Sequence, residues 1–491
     1  MKRPTIASIS IYRWRYTLTY IAVATVFVGL LLLVSLFIPG GISTREMTAV
    51  ATSSALSWQQ FSPEMVINLP YYALQRAALE LLGLSTLTIK LPTIILAALS
   101  GLGLVLLLRT WFRKNVALLT ALTAFTIGPF LLSAQSGTPG ILYIFWPVWM
   151  LYAGVKVARR SRFRLWWKIV LLVLAAGSLY TPLSLYVLIA LLSAVVLHPH
   201  LRHIARQLNK VWLAGAACFA ALALAPLLYA IALQPTLLLR LLGIDGAIDL
   251  GASLGQLTAQ YLSFMRPLAG IVLTPVYSLP IVIIMLAGLY HMLTMRHTAR
   301  SYILLAWMVL LVPPIVVNPE LVAVTFVPAV LLTGYGLDLI IRSWYKLFPK
   351  NPYARVAGLV PITILIITLG ISGIDRFVYG YLYGATPAHV YSKDVALLSR
   401  TVGSGEASNV TLVVDASERP FYDAFKRYNP ALSVDRVVTV SDNLSSTSYQ
   451  DAIVTSQANR TVTARPAPYR VITDGASTDA DRFYLYKSIS E

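Results

Sequence analysis

The stretch KLPTIILAALSGLGLVLLLRTWFRK, residues 90–114, decides the class of fold. Between Lys90 and Arg109 it contains no charged side chain, and this run is close to the roughly 20 apolar residues that cross a bilayer as a helix. Basic residues follow at once, at Arg113 and Lys114. An apolar run with a basic end is typical of a transmembrane helix that stops at the cytoplasmic surface.

The same pattern recurs along the 491 residues and predicts an α-helical polytopic membrane protein. Charged residues make up only 12% of the chain and apolar residues 57%, whereas soluble domains carry about 25% charged residues. This composition excludes an ordinary soluble enzyme. Eleven spanning helices are predicted, at residues 18–38, 88–108, 115–133, 141–157, 166–181, 183–198, 211–233, 268–294, 301–317, 321–341 and 356–374.

The net charge of +19 indicates a membrane topology rather than a nucleic-acid partner. Residues 1–375 hold 27 basic and 8 acidic residues, whereas the tail from Arg376 holds 12 of each. With the N-terminus in the cytoplasm, 22 basic residues of the first part fall on the cytoplasmic side and five on the other. Because Lys and Arg accumulate on the cytoplasmic side, we expect a multi-pass protein of the plasma membrane whose C-terminal tail is extracytoplasmic.

Two domains are predicted. Residues 1–376 form the transmembrane domain, and residues 377–491 form a small extracytoplasmic α/β domain with a helix near 387–402 and short β-type runs. Within the first domain, the external loop 39–87 predicts two amphipathic helices, near 44–58 and 63–82, that lie along the membrane surface. A second external loop covers residues 234–267.

The acidic residues that precede the tail gather on the external side. Asp338 is the exception, and we interpret it as a helix-end carboxylate near Arg342. Glu46 follows the first predicted helix with Arg45 beside it. A carboxylate next to a cation at a membrane surface has the chemistry of a general base beside a phosphate-binding group. An exposed interfacial ion pair is the alternative for these two residues.

Several familiar sites are absent from the sequence. It contains no P-loop, GxGxxG fingerprint, CxxC pair or HExxH motif, and Cys218 is its single cysteine, so no intrachain disulfide can form. The acidic residues collected on the external face indicate that chemistry or binding happens there.

The order of several short motifs resembles the GT-C membrane glycosyltransferases, in particular the branch of protein O-mannosyltransferases and lipid A aminoarabinose transferases. After Glu46 come Asn68-Leu-Pro-Tyr-Tyr, Lys90-Leu-Pro at the start of the second helix, and Leu179-Tyr-Thr-Pro between later helices. In that branch an Asp-Glu pair follows helix one, then a His/Lys-Pro-Pro-Leu-Tyr-Tyr-like stretch and Arg-Leu-Pro. The resemblance covers roughly residues 15–190 by motif.

The sequence departs from the pattern of this branch at several positions. The first acidic residue of the pair falls on Arg45, which leaves Glu46 alone, and the His or Lys falls on Asn68. Asn318-Pro-Glu320 stands where many relatives carry an arginine. The resemblance therefore fits either a subfamily that has moved its base to Glu46, or a relative that has lost catalysis.

The resemblance implies transfer of a sugar from a polyprenyl-phosphate donor to a lipid, glycan or protein acceptor on the external face. Glu46 is the expected general base. The cations expected to bind the leaving phosphate are Arg45, Arg266, Arg240 and Arg76. The residues expected to line the substrate groove are Asn68, Tyr71, Tyr72 and Glu320. Some relatives use a divalent cation at the phosphate, and the sequence leaves a metal site open.

Two other classes of function compete with the enzyme. A protein with this fold but without catalysis would act as a binding or scaffold protein of cell-envelope glycan assembly. A transporter of lipid-linked glycans would show internal repeats and ionisable residues at mid-membrane. No clear repeat is present, and the acidic residues cluster at one face, which favours the enzyme over the transporter.

Overall fold

The computed structural model describes eleven stretches of 10–38, 40–57, 61–159, 163–207, 210–245, 249–264, 273–295, 298–348, 351–384, 390–403 and 410–432, and four short ones at 434–440, 452–461, 467–473 and 481–486. Long apolar helices make up most of the chain before residue 384, and a small mixed sheet follows them. The fold class expected from the sequence is therefore confirmed.

Most of the helices before residue 384 lie in the predicted apolar runs, whereas α2, α3, α12 and α13 lie in the predicted external loops. In chain order they are α1 Ser10–Phe37, α2 Thr44–Ser54, α3 Leu69–Leu82, α4 Thr86–Trp111, α5 Lys114–Thr126, α6 Gly128–Gln135, α7 Leu142–Ala158, α8 Arg164–Ser178, α9 Ser184–Leu197, α10 Pro199–Arg206, α11 Lys210–Leu233, α12 Thr236–Leu242, α13 Leu250–Leu262, α14 Leu279–Thr294, α15 Ala299–Val317, α16 Phe326–Leu347 and α17 Pro352–Tyr383.

Fewer helices than the predicted eleven meet a strict length test for crossing a membrane. Within the described residues, six helices are long and apolar enough, or up to eight if each of two bent pairs counts as one span. The pairs are α5 with α6, bent by 56°, and α9 with α10, bent by 94°. Three shorter apolar helices, Val23–Phe37, Leu165–Ser178 and Leu279–Thr294, occupy the remaining predicted runs.

Proline explains the bends within the two bent pairs. Pro129 follows the break between α5 and α6, and Pro199 opens α10. A proline ring clashes with the preceding turn and lacks an N–H, so it is tolerated in the first turn of a helix and ends a helix before it. The predicted helix 268–294 also begins late: Leu279 starts α14, with Pro280 in its first turn.

Close helix contacts depend on glycine. A Cβ at Gly288 of α14 would overlap the carbonyl oxygen of Leu332 in α16, and a Cβ at Gly336 would overlap that of Ile284. Small residues allow membrane helices to approach closely because their backbones then meet directly. Beside this contact the buried Asp338 carboxylate lies 2.7 Å from Arg342 Nε, as its interpretation as a helix-end partner predicts.

The C-terminal region forms a five-stranded sheet with the order β4-β3-β5-β7-β6. The strands are β3 Val410–Val414, β4 Val434–Thr439, β5 Ala452–Thr455, β6 Arg470–Thr473 and β7 Asp481–Tyr486. β3 runs parallel to β4 and β5, and β7 runs antiparallel to β5 and β6. Three helices accompany them, α18 Asp394–Gly403, α19 Arg419–Tyr428 and α20 Ser456–Thr461.

Loop 39–87 packs against this C-terminal region, and the expectation that its helices lie along the membrane surface stays a prediction. Ile42, Val50 and Leu79 share one hydrophobic core with residues of α18, α19 and the sheet. The short strand β1 Ile42–Ser43 pairs with β2 Tyr391–Ser392. A Cβ at Gly41 would lie 2.6 Å from the Ser392 carbonyl oxygen, so only glycine fits there.

Asn429 fastens the other end of this loop. Its side-chain amide accepts a hydrogen bond from the Leu84 N–H and donates one to the Leu84 carbonyl, both at 2.9 Å. Val50 of α2 and Leu79 of α3 are thus buried against α19 and the sheet, whereas Leu74, Leu81 and Leu82 of α3 are exposed.

Candidate functional site

The candidate site is built around α2, whose start is determined by a local capping motif. The Ser43 hydroxyl accepts the Glu46 N–H, and the Glu46 carboxylate accepts the Ser43 N–H at 2.6 Å. This reciprocal arrangement is the capping box, which satisfies backbone donors that a helix start would otherwise leave free. It points the Glu46 side chain back into the protein at the first turn.

Glu46 is fully buried, and both of its carboxylate oxygens have partners. Besides Ser43, it accepts the Gly137 N–H at 2.6 Å, and Lys90 Nζ lies 3.7 Å from the same oxygen, Oε1. Lys90 is also fully buried, and it donates to the Ser35 carbonyl at 2.9 Å. The pair therefore ties together α1, α2, α4 and the turn that follows α6.

This placement does not support the expected role of Glu46 as the general base. A base must reach the hydroxyl proton that it removes, but the Glu46 side chain is 0% exposed and surrounded by its own donors. Gly137 is needed for this closure, because a Cβ there would lie 3.1 Å from Glu46 Oε1. The geometry indicates that Glu46 and Lys90 position α2.

Arg45, the neighbour of Glu46, points the other way. Its Nη2 donates to Glu320 Oε2 at 2.6 Å, and the two side chains are 61% and 60% exposed. The branch that the sequence resembles carries an acid at the position of Arg45 and often an arginine near residues 318–320. In this chain the two charges are exchanged, with the basic residue at position 45 and the acidic residue at position 320, and the fold brings the two side chains together.

An open cleft of about 450 Å³ lies beside α2, and we call it the α2 cleft. Its walls include Thr52, Glu64, Tyr72, Arg240 and Pro420. Arg45, Thr48 and Thr52 share one face of α2 because they are spaced by three and four residues. The Arg45–Glu320 pair therefore lies on the side of α2 that lines the cleft.

Arg240 connects the carboxylates around the cleft. Its Nη1 lies 3.1 Å from Glu64 Oε1, and its Nε lies 3.9 Å from Asp245 Oδ2. Asp245 in turn accepts a hydrogen bond from Asn318 Nδ2 at 3.3 Å, two residues before Glu320. A series of partly exposed charged groups thus runs from Glu64 to Arg45 across three loops.

Of the residues expected to line a groove, Tyr72 lies in the α2 cleft, and burial raises the pKa of its phenol, which keeps it a hydrogen-bond donor. Tyr71 is fully buried, and its hydroxyl lies 2.8 Å from Thr93 Oγ1. Asn68 is 9% exposed and adopts a left-handed φ of 59°, a conformation that asparagine tolerates. Tyr71 and Asn68 thus support the cleft from beneath.

Of the expected phosphate-binding cations, only Arg240 lines the α2 cleft, with Arg45 beside it. Arg76 pairs with Glu80 Oε1 at 2.6 Å along α3 and donates to the Leu56 carbonyl. Arg266 lies outside the described residues. Among the residues that the structure describes, no three His, Cys, Asp or Glu side chains group so as to hold a metal ion.

Glu64 and Asp245 were not among the predicted site residues. The sequence analysis assigned both residues to external loops. Their common position on the external side of the membrane was the signal that could have identified them. Arg240 lies 176 residues from Glu64 along the chain, so no local motif joins them. Only the packing of α12, which carries Arg240, against the turn at Pro63–Val66 brings the charges together.

Comparisons with known proteins agree with this architecture. Residues 69–229 match the family model described as dolichyl-phosphate-mannose-protein mannosyltransferase. No curated protein matches the sequence significantly. ArnT from Cupriavidus metallidurans, solved bound to undecaprenyl phosphate, superposes with a TM-score of 0.54 at 12% identity, over 97% of this chain and 99% of ArnT.

A second solved structure is similar over part of its length. The Archaeoglobus fulgidus oligosaccharyltransferase, tethered with an acceptor peptide, superposes with a TM-score of 0.51 at 12% identity, over 87% of this chain and 64% of that protein. Identities this low establish the fold alone. The resemblance drawn from the sequence is confirmed at the level of fold: this chain is a multi-pass membrane protein with the GT-C fold.

Proposed function

We propose that the protein is an integral membrane glycosyltransferase that moves a sugar from a polyprenyl-phosphate donor to an acceptor on the side of its C-terminal domain. The observation that carries this proposal is the α2 cleft, where Arg240, Tyr72 and Glu64 lie together in a GT-C fold. The likeness to ArnT, which was solved with undecaprenyl phosphate, supports a lipid-linked donor.

Arg240 is the proposed phosphate-binding residue. When the sugar leaves the donor, negative charge develops on the polyprenyl phosphate, and a fixed cation at that position stabilises the transition state. Arg240 is held by Glu64 and Asp245 and is still 45% exposed, so it is oriented but accessible. The guanidinium can offer two parallel N–H groups to phosphate oxygens.

Glu320 is the proposed general base, in place of Glu46. In the reaction the acceptor oxygen bonds to the anomeric carbon, the bond from that carbon to the phosphate oxygen breaks, and the hydroxyl proton passes to a carboxylate. Glu320 is 60% exposed and is oriented by Arg45 on the cleft side of α2. Tyr72 contributes a phenol that can donate to the sugar.

The distribution of basic residues supports the orientation of this chemistry. With an N-terminus in the cytoplasm, the α2 cleft and the C-terminal domain are extracytoplasmic. We propose the plasma membrane as the location, with residues 1–376 as the transmembrane domain and 377–491 as the extracytoplasmic domain. Pro420 of the second domain lines the cleft, which supports a role for this domain in covering the acceptor site.

A turnover assay tests the proposal. The full-length protein in liposomes is given undecaprenyl-phosphate-linked hexoses and pentoses with extracted envelope lipids and glycans as acceptors, and released undecaprenyl phosphate is measured. Glu320→Gln should lower turnover by about 10²–10⁴-fold, the usual contribution of a general base. Glu80→Gln is the matched control, because Glu80 is also exposed and paired with an arginine, but its partner is Arg76 of α3 and not Arg45 of α2.

The turnover of Glu46→Gln, compared with that of Glu320→Gln, distinguishes the two candidate bases. If Glu46→Gln abolishes turnover in a protein that still folds, and Glu320→Gln does not, the base is Glu46 and the assignment of Glu320 is wrong. If both variants retain full turnover, neither carboxylate is the base. Folding is checked by size-exclusion chromatography and thermal unfolding of each variant.

A non-catalytic binding protein is the second candidate function. It is favoured by the complete burial of Glu46 and by an arginine at position 45, where the branch carries its first acid. Such a protein would bind undecaprenyl phosphate through Arg240, and wild type would release none from any donor of the panel. Binding without turnover in the wild type would therefore favour this candidate over the enzyme.

A further inference from the structure

A second cavity of about 60 Å³ lies apart from the α2 cleft, and we call it the Arg376 cavity. It is bordered by the break between α5 and α6 at Ile127 and Gly128, by Val276 and Ser278 before α14, and by Arg376 near the end of α17. Arg376 lies in the part of α17 nearest the C-terminal domain. The cavity shares no lining residue with the α2 cleft.

Arg376 has no partner in the described part of the chain. Its Nη2 is buried without a hydrogen-bond acceptor, and no carboxylate among the described residues forms an ion pair with it, including its neighbour Asp375. A guanidinium has five N–H donors and stays charged. Burying such a group without a partner is costly, so an anion or water is needed to complete the site.

The remaining polar groups of the cavity also suit an anion. The Ser278 hydroxyl is buried and has no partner among the described residues. Ser278 is the residue before α14, so the free N–H groups and the positive end of this 16-residue helix start at the cavity. No acidic side chain is found among the described residues that line it.

The size and surroundings of the cavity limit the ligand. A volume of 60 Å³ holds about four waters or one phosphate-sized group, and it has no room for a sugar phosphate. On the side of α17 that carries Arg376, Leu365 is 43% exposed and Leu369 lines the cavity. Leu365, Leu369 and Arg376 are spaced by four and seven residues, so they share one face of the helix, and its apolar part would contact a lipid chain.

We propose that the Arg376 cavity binds the phosphate of a membrane phospholipid. Arg376 and Ser278 donate to the phosphoryl oxygens, and the acyl chains lie along the apolar face of α17. A phosphodiester carries one negative charge, which one unpaired arginine neutralises, whereas a phosphomonoester carries up to two near neutral pH. This site does not depend on the proposed glycosyltransferase activity.

Native mass spectrometry of the full-length, delipidated protein tests the proposal by titration with phosphatidylglycerol. Arg376→Gln should weaken the tightest phosphatidylglycerol site at least tenfold, and Arg376→Lys should retain most of its affinity because the charge remains. Arg436→Gln is the matched control, since Arg436 is exposed and pairs with Asp435 on the C-terminal sheet. Arg240→Gln, in the α2 cleft, should also leave this site unchanged.

Equal phosphatidylglycerol binding by wild type and Arg376→Gln would overturn the proposal. So would a site dependent on Arg376 that takes undecaprenyl phosphate or inorganic phosphate but not phosphatidylglycerol. If Arg376→Gln does not fold, cryo-electron microscopy of the wild type in phosphatidylglycerol nanodiscs decides the matter. Phosphate density between Arg376 and Ser278 supports the site, and density for water alone rejects it.

Discussion

Two ion pairs involve α2, and they differ in exposure although their α2 members, Arg45 and Glu46, are adjacent in the sequence. Glu46 and Lys90 are both 0% exposed, whereas Arg45 and Glu320 are 61% and 60% exposed. The capping box turns Glu46 inward, and successive helix positions point about 100° apart, so Arg45 turns outward. The comparison shows that one charged dipeptide supplies both a structural tie and an accessible group.

The difference also separates stability from function. A buried pair is costly to break, because removal of one partner leaves an uncompensated charge in a dry site. An exposed pair contributes little to stability, about 0–1 kcal/mol, since water solvates its members. We therefore expect substitutions of the buried pair to alter unfolding, and substitutions around the α2 cleft to alter binding or turnover.

Lys90→Met should produce the largest loss of stability. It leaves the Glu46 carboxylate buried without its cation, which should lower the free energy of unfolding by about 3–5 kcal/mol. Unfolding in mixed micelles with increasing SDS measures this change. The double variant Glu46→Gln/Lys90→Met should recover part of the loss, and equal midpoints for Lys90→Met and wild type would show that the pair does not stabilise α2.

Asn429→Ala should have the next largest effect. It leaves the N–H and the carbonyl of Leu84 without their partner, at a cost of about 1–3 kcal/mol. The same SDS titration, together with limited proteolysis of the C-terminal domain, measures this loosening. Asn429→Asp should fall between the two proteins, because it keeps the acceptor for the N–H; a wild-type proteolysis rate for Asn429→Ala would contradict the proposed fastening.

Arg240→Gln should change binding while leaving unfolding nearly unaltered. Loss of a charge-assisted hydrogen bond to phosphate costs about 1.5–3 kcal/mol, so the affinity for undecaprenyl phosphate should fall at least tenfold. Microscale thermophoresis measures it. Arg76→Gln is the control, because Arg76 is a second cation of the external loops that pairs with Glu80 and is not among the residues that line the cleft. An equal loss of affinity in Arg240→Gln and Arg76→Gln would indicate that basic side chains attract the lipid in general, and that Arg240 is not part of a specific site.

Glu80→Gln should have the smallest effect. The Arg76–Glu80 pair is separated by four residues on a helix surface, and such pairs contribute about 0.2–0.5 kcal/mol. The SDS midpoint should therefore stay close to that of wild type. A shift as large as that of Lys90→Met would remove the contrast between buried and exposed pairs.

Sequence alone predicted most of the helical architecture, because an apolar run has to be long to cross a membrane. It did not predict the late start of α14 or the cover over α2. A long apolar run is a strong signal for a helix, whereas Gly128-Pro129 and Pro280 each affect a single turn. The prediction followed the apolar run and therefore missed the break and the late start at these prolines. The apolar faces of α2 and α3 are typical of an interfacial helix. The protein residues that Val50 and Leu79 contact in α19 and the sheet lie more than 300 residues later in the chain.

The candidate site was harder to predict than the fold. The sequence singled out Arg240 and Tyr72, which line the α2 cleft, and Arg45 and Glu320, which pair with each other; it also singled out Glu46, which is buried. The spacing Ser43-x-x-Glu46 is the pattern of a capping box, and it was the signal that could have identified Glu46 as a helix-capping carboxylate. That Arg376 has no partner among the described residues is a property of packing, since its neighbour in sequence is an aspartate.

The pairing of β1 with β2 determines when the site can form during synthesis. Ser43 lies in β1 and caps the helix that lines the cleft, and its strand partner, Tyr391, is made after α17, which ends at Tyr383. Tyr391 also accepts a hydrogen bond from Gln135, in the α6 segment beside the turn that binds Glu46. A nascent chain therefore inserts its membrane helices before its cleft has a fixed wall, and a protein truncated before residue 390 would lack it.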